Sequence, residues 1–417
     1  MATPGRGDGD AVDLLVVGAG PAGCAAAVTG HAAGLDVLLV DKATFPRDKT
    51  CGDGLTTGAL RSLRRLGVEL PHLDIAAPVT EAVLVAPSGR HVSLPLPASS
   101  ERRGPGQYAA VAARRDLDAA LLEHTRALGV RVLERTALAR VDLRDDGVDA
   151  TLADGDATGE PVRARFVVGA DGHYSAVRRL LERDRPPDLG SWHAARQYFR
   201  GVVDRRLWVI FEPDLLPGYA WVFPLPGARA NVGFGVLRER GLSGRELKAL
   251  WHDLLERPAL RSVLGTTAEP EDSYRAWPIP TDYSPDALVD AGGRVLYAGD
   301  AAQVVDPMTG EGIAQALETG SLAAGAVADG GPAAAVSARY REQVERELGR
   351  DLRFAALLQR VLRTPIGTRA AIGAAGLTDW TRRNFARWMF EDYPRALLFT
   401  PDRWSRKASW RRSSRTP

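Results

Sequence analysis

Cysteine and lysine are scarce in this 417-residue chain. Its two cysteines, Cys24 and Cys51, exclude a disulfide framework and a tetrathiolate zinc site. No cluster with metal-ligand spacing stands out, so no metal is expected. Lysine occurs only at positions 42, 49, 248 and 407, the rest of the 54 basic residues being arginine. That is the bias a GC-rich genome produces. An excess of either charge is also missing: 52 acidic residues leave a formal net charge of +2, which gives no general reason to expect a nucleic-acid partner. Long apolar runs are absent too. The best candidate, Gly320 to Ala338, consists largely of Ala and Gly and is interrupted by Asp329. Residues Met1 to Asp10 are polar and carry no apolar signal segment, so a cytoplasmic protein is expected, with peripheral attachment to the inner face of a membrane left open.

What is present suits folded domains. Hydrophobic residues make up 45% and charged residues 25%, enough for two or three domains with their own cores. Structure should begin at Val12, where a short apolar run ends in Gly18-Ala-Gly20-Pro-Ala-Gly23 and an Ala-rich helical stretch follows. A second apolar run, Val37 to Val40, closes on Asp41. A helix over Arg115 to Leu128, a strand over Val130 to Leu133, paired strands within Val141 to Leu152 and a strand over Ala164 to Asp171 are predicted next. From about Ser191 to Pro280 alternating and aromatic segments separated by turns predict an antiparallel sheet. A strand then runs from Arg294 into Gly299-Asp300, a helix begins at Gly312, and the chain after Ser337 reads as helical and Arg-rich.

Gly18, Gly20 and Gly23 form a dinucleotide fingerprint: the first for the turn, the second for close approach of the pyrophosphate, the third for packing helix on strand. Asp41, at the end of the second strand, is placed to accept from the adenosine ribose. This motif alone does not separate NAD from FAD. Ala170-Asp171-Gly172 and Gly299-Asp300, followed by Pro307, Gly310 and Gly312, point to a flavin, whose reduced ring carries negative charge suited to a helix N-terminus.

The ordered set GAGPAG, VLLVDK, FPRDKTCGDG, ARRDLD, VVGADG and YAGDAAQVVDPMTGEGI resembles the p-hydroxybenzoate-hydroxylase-type FAD fold. Lys49-Thr-Cys51-Gly52-Asp53-Gly54 and Tyr219-Ala-Trp221-Val-Phe223-Pro224, followed by Gly233-Phe-Gly235, are similar to segments of the geranylgeranyl reductase family, which includes bacterial menaquinone side-chain reductases. The likeness covers about residues 12 to 335. It implies an α/β Rossmann-like FAD-binding domain (10–75, 101–185 and 291–335), an antiparallel-sheet substrate domain (76–100 and 186–290) and a helical C-terminal region (336–417). It places FAD against Gly18, Gly20, Ala22, Gly23 and Asp41, with Cys51, Gly52 and Gly54 beside the isoalloxazine. Arg114, rather than Arg115, would bind the phosphate-ribose region, Ala137 the adenine side, and Asp300, Gly312 and Ile313 the pyrophosphate-ribityl and flavin end.

The activity it implies is saturation of isoprenoid C=C bonds by hydride from reduced flavin N5, with Cys51, Tyr219 and Trp221 as catalytic candidates. Tyr219, Trp221 and Phe223 alternate and so share one strand face, either an ordinary sheet core or the lining of an apolar tunnel for an isoprenoid or quinone-type substrate. In its Gly-rich, lysine-flanked loop, Cys51 reads either as a partly exposed thiol of lowered pKa or as a small residue chosen for space. The proton source is open among Cys51, Tyr219 and a water. NAD(P)H or a ferredoxin-like protein would supply electrons. The rival reading is a monooxygenase, then a halogenase, although the halogenases' Trp-x-Trp-x-Ile-Pro segment is absent. A flavoprotein that only binds or senses is the non-enzyme reading. The aromatic and arginine residues after Asp351, and six basic residues between Arg403 and Pro417 beside Trp404 and Trp410, read either as a helical cap or as a surface for anionic lipid.

Overall fold

In a computed structural model, the structure describes residues 11–69, 74–96, 108–155, 157–159, 161–182 and 189–390. The basic cluster from Arg403 to Pro417, with Trp404 and Trp410, lies outside them, as do Leu397, Leu398 and Phe399.

Val12–Val17 is an apolar strand buried on both faces, as a central parallel strand must be. It pairs in parallel with Val37–Val40 on one side and Val162–Gly169 on the other. Arg131–Leu133 extends the sheet beyond Val37–Val40. The long strand Val162–Gly169 divides its outer edge: Val167 to Gly169 pair in parallel with Val295–Tyr297, while Val162 to Ala164 pair antiparallel with Val148–Asp154. Thr136–Leu143 pairs antiparallel with Val148–Asp154. The predicted strand–glycine turn–helix–strand unit is therefore present, and the fold is the mixed α/β one expected.

The helix Pro21–Ala32 follows the glycine turn and packs along Ile313–Ala328. Their approach is close enough that a Cβ on Gly320 would collide with the carbonyl oxygen of Ala22. Both helices begin at the same edge of the sheet, beyond the C-terminal ends of its parallel strands.

The second large sheet is mainly antiparallel, with Trp192–Arg200, Arg229–Leu237, Ala220–Leu225 and Leu207–Ile210 as consecutive neighbours. Glu81–Val85 joins it in parallel beside Leu207–Ile210, and His91–Pro95 closes that edge. Arg275–Ile279 pairs with Trp192–Arg200 at the opposite side. Side chains alternate between two apolar layers. Ala220, Val222, Val232, Phe234 and Val236 pack under the helix Gly244–Glu256, around its buried Trp251. Trp221, Phe223 and Tyr198 face the other way. Ala76–Pro78 belongs to neither sheet; with Gly54–Leu55 and Ala110–Ala112 it forms a small third one.

Helices Ala333–Val344, Arg350–Leu362, Pro365–Ala375 and Asp379–Met389 follow. Ile372, Ala386 and Phe390 are buried in the layer that holds Trp221 and Phe223. Part of this region is thus a helical cap. Gln359 donates to the carbonyl of Pro307 at 2.8 Å, tying the cap to a loop of the cavity described next.

Candidate active site

A cavity of about 540 Å³ lies between the C-terminal edge of the parallel sheet and the Trp221–Phe223 layer of the antiparallel one. One end, lined by Gly18 and Gly20, is built by glycines. Gly18 has φ +102° and lies against the backbone of Ala170 and Asp171, leaving no room for a side chain. Gly23 packs on Gly18 and does not line the cavity. At Gly20 a Cβ would stand 3.5 Å from an Arg47 guanidinium nitrogen and 3.9 Å from one of Arg114, so it would occupy space bordered by two cations. Ala22, Gly312 and Ile313 also line this end, in or beside the first turns of the two packed helices.

Arg114 is buried and points into the cavity wall, whereas Arg115 is exposed. Arg114 makes two 2.8 Å bonds to Asp118, one turn on, and Arg47 reaches the same carboxylate at 3.0 Å. Two cations thus share one fully buried anion, leaving net positive charge in the cradle. Asp41 sits where the ribose was expected; its two oxygens accept from the amides of Ala19 at 2.7 Å and Ala43 at 2.8 Å. Ala137 borders the same region from the strand Thr136–Leu143.

At the other end, Cys51 and Gly52 face the aromatic layer. Tyr219, Trp221 and Phe223 line the cavity side by side, with ring centroids 6.1 and 6.0 Å apart. The Trp221 indole lies over Gly233, its cross-strand partner, where a Cβ would collide with the ring. Trp192 and Trp277, which the sequence reading did not single out, widen this apolar wall. Gly54 lies behind Phe223, off the cavity, where a Cβ would come 3.4 Å from its ring. The Tyr219 hydroxyl donates to the carbonyl of Thr309 and so holds the Pro307–Gly312 loop. Lys49 pairs with Asp300 at 3.6 Å and lies 4.6 Å from the Trp277 ring centre. Burial pulls the Lys49 ammonium below its usual pKa.

The Cys51 thiol behaves opposite to the lowered-pKa expectation. Burial, helped by the nearby Asp53 and Glu311 carboxylates and opposed by Arg114, pushes it up to about 11. Desolvation outweighs the nearby cation. Glu311, also unforeseen, lines the cavity at this end.

A buried polar web behind the cavity was missed as well. Asp53, fully buried at φ +66°, accepts from Tyr198 at 2.8 Å, from Asn231 at 2.8 Å and from the Arg114 amide at 3.2 Å. Burial raises its carboxyl to about 6. Its neighbour Asp48 accepts from the fully buried Arg196 at 2.6 and 2.7 Å and pairs with Arg275 at 3.1 Å. The side-chain bonds of this web cross sequence separations of well over a hundred residues, and the Arg114 amide bond crosses 61, so no local pattern announces them.

An FAD binding domain profile matches residues 11–206. Over 328 residues the chain is 35% identical to menaquinone reductase of Mycobacterium tuberculosis (strain ATCC 25618 / H37Rv), covering 76% of each protein. Over 347 residues it is 33% identical to digeranylgeranylglycerophospholipid reductase 1 of Methanopyrus kandleri, covering 80% of this chain and 86% of that one. The chain belongs to the geranylgeranyl reductase family. It is an FAD-dependent oxidoreductase. A solved geranylgeranyl bacteriochlorophyll reductase-like protein from Thermoplasma acidophilum shares the fold, with a TM-score of 0.75 at 22% identity over 94% of this chain and 99% of that one.

The cavity suits the family's cofactor. A dinucleotide needs glycine-lined approach, helix N-termini and cations at its pyrophosphate, and an adjoining flat apolar compartment for its ring. Gly18, Gly20, Arg47 and Arg114 meet the first demand, and Cys51, Gly52 and the aromatic wall meet the second.

Proposed function

We propose that this reductase saturates C=C bonds in the isoprenoid chain of a menaquinone or a geranylgeranyl-type lipid. The observation that carries the reading is the continuous wall of Tyr219, Trp221 and Phe223 opposite Cys51 and Gly52, in the same cavity as the dinucleotide cradle. FAD, bound and reduced, supplies a hydride equivalent to one alkene carbon. Everything else falls to the chain. Gly18, Gly20, Ala22, Asp41, Arg114, Ala137, Asp300, Gly312 and Ile313 bind and orient the cofactor; Gly23 and Gly54 support it from behind. Trp221, Phe223 and Tyr219 exclude water and hold a prenyl unit flat, since an unactivated alkene offers no carbonyl to polarise. The second alkene carbon takes a proton. Tyr219 commits its hydroxyl hydrogen to Thr309, whereas Cys51 lines the cavity and, with burial raising its thiol, still carries its proton at neutral pH, so we assign Cys51 Sγ as the source. The units assigned to 10–75, 101–185 and 291–335, to 76–100 and 186–290, and to 336–417 belong to the same proposal.

Electrons come from NAD(P)H or a ferredoxin-like protein, and bleaching of the flavin by NADPH under argon separates the two. Among the described residues no helix is long and apolar enough to cross a membrane. A lipid-tailed substrate nevertheless has to be collected from a bilayer. Trp380, Leu377 and Ile366, exposed at 68%, 72% and 76% on an arginine-rich stretch, support docking of the C-terminal helices on anionic lipid. The test of function is anaerobic mixing of reduced enzyme with an unsaturated menaquinone. Rapid flavin oxidation and a product whose prenyl side chain, not its quinone ring, is heavier by two hydrogens are expected. A need for oxygen and a hydroxylated product would favour the monooxygenase reading.

A further inference from the structure

Asn231 is fully buried and lies outside the cavity, yet it touches both of its reactive walls. Its side-chain oxygen accepts from the Trp221 indole N–H at 2.9 Å. Its amide group donates to the carbonyl of Cys51 at 2.7 Å and to the Asp53 carboxylate at 2.8 Å. One amide thus joins the substrate-facing strand Ala220–Leu225 to the loop that carries Cys51 and Gly52. Asparagine is the residue type this demands. Leucine would leave the indole N–H and the Cys51 carbonyl unpaired in the interior, and aspartate would lose the donors and set two carboxylates against each other.

We propose that Asn231 is a positioning residue that fixes the spacing between the Trp221 wall and the Cys51–Gly52 strip, and so the placement of the alkene during reduction. It is not a catalytic residue, since it touches neither the cavity nor what the cavity holds. Asp53 completes the device from below. Tyr198 and the Arg114 amide clamp its carboxylate, and the Asp53 amide donates to the Cys51 thiol at 3.4 Å. The web therefore reaches the thiol as well as the carbonyl of residue 51. The activity part of this role rests on the reductase reading; the effect on the loop does not.

The experiment compares full-length enzyme carrying Asn231→Leu or Asn231→Asp with wild type, after FAD content and thermal melting are checked. The first readout needs no substrate: iodoacetamide alkylation of Cys51 at pH 8, in full-length protein stripped of FAD. Release of the loop should raise its rate about tenfold in Asn231→Leu, the scale expected for lost buried hydrogen bonds. The second readout is turnover of an unsaturated menaquinone. Per bound flavin, kcat should fall about tenfold with KM within about twofold, the scale of losing a hydrogen bond that orients a reacting wall.

The third readout is pH. In Asn231→Asp the new carboxyl and Asp53 should share one proton as pH falls from 8 to 6, restoring a donor, so activity relative to wild type should climb. Arg114, Arg196, Tyr198, Cys51 and Glu311 are the other charged or titratable groups facing this pair. They are common to both variants, so Asn231→Leu should show no such climb. If Asn231→Leu does not fold, the pH rescue of Asn231→Asp carries the test alone. Wild-type alkylation and kcat in both variants would overturn the proposal, as would losses that merely track lost FAD. Faster alkylation with unchanged kcat would overturn the positioning role while leaving the reductase reading intact. Failure of wild type itself to reduce the menaquinone would count against that reading, with the alkylation rates still deciding whether Asn231 holds the loop.

Discussion

Cys51 is where burial and charge pull in opposite directions. Arg114 would stabilise a thiolate, but desolvation, with Asp53 and Glu311 nearby, holds the proton on sulfur and sets the pKa at about 11. At pH 7.5 the thiolate fraction should be about a hundredfold below that of an unperturbed cysteine, because each pKa unit is a tenfold change in ionised population. Alkylation of Cys51 by iodoacetamide in the FAD-free protein should therefore rise with pH through 9 without levelling off. Cys24, fully buried with its pKa pushed up to about 12, should stay unreacted in the fold. A plateau below pH 9 would show a thiolate site and remove Cys51 as a proton holder. The sequence could suggest the residue but not its ionisation. Its flanking lysine implied a positive field, whereas in the fold that lysine is paired with Asp300 and the loop is desolvated.

Between elements, glycine sets how closely backbone and rings approach. A Cβ on Gly320 would strike the Ala22 carbonyl, so Gly320→Ala should push Ile313–Ala328 away from Pro21–Ala32 and shift both helix starts at the cradle. Overpacking of this kind costs about 1–3 kcal/mol, and FAD affinity should weaken at least about tenfold. Titration of the FAD-free variant measures it; unchanged affinity would show that the helix pair does not set the cradle. Gly233→Ala acts at the other end, where the added methyl would meet the Trp221 indole and the carbonyl of Ala195. Turnover should drop while FAD content stays normal. Absorption of the purified variant at 450 nm and a steady-state assay separate those two effects.

These glycines mark the boundary of what was legible. Gly18, Gly20 and Gly23 announced themselves because a local strand–turn–helix geometry dictates their spacing, and Tyr219, Trp221 and Phe223 because strand periodicity is local too. Asn231, Asp53, Tyr198 and Arg196 gave no such signal, since the antiparallel sheet reaches Cys51, Asp53 and Asp48 only once it meets the loop that carries them. Ala76–Pro78 carries no local signal either: a three-residue strand takes its sheet from long-range pairing with Ala110–Ala112.

On the scale of the whole molecule, near-neutral charge conceals an uneven distribution. The helices from Arg350 to Met389 carry arginine with little acid, and several large apolar side chains stand exposed on them. If that surface meets a bilayer, replacing Ile366, Leu377 and Trp380 together by serine should reduce co-sedimentation with vesicles containing phosphatidylglycerol at least about fivefold. Turnover of a detergent-solubilised substrate should remain. Equal sedimentation would restrict the cap to its packing role, which Ile372, Ala386 and Phe390 already fill. The central claim is that one cavity joins a flavin cradle to an isoprenoid-holding wall, and stopped-flow absorbance tests it most directly. Dithionite-reduced enzyme mixed anaerobically with an unsaturated menaquinone should regain its 450 nm band far faster than with the fully saturated analogue, and yield a product two hydrogens heavier. Equal rates with both substrates, with no reduced side chain by mass spectrometry, would contradict it.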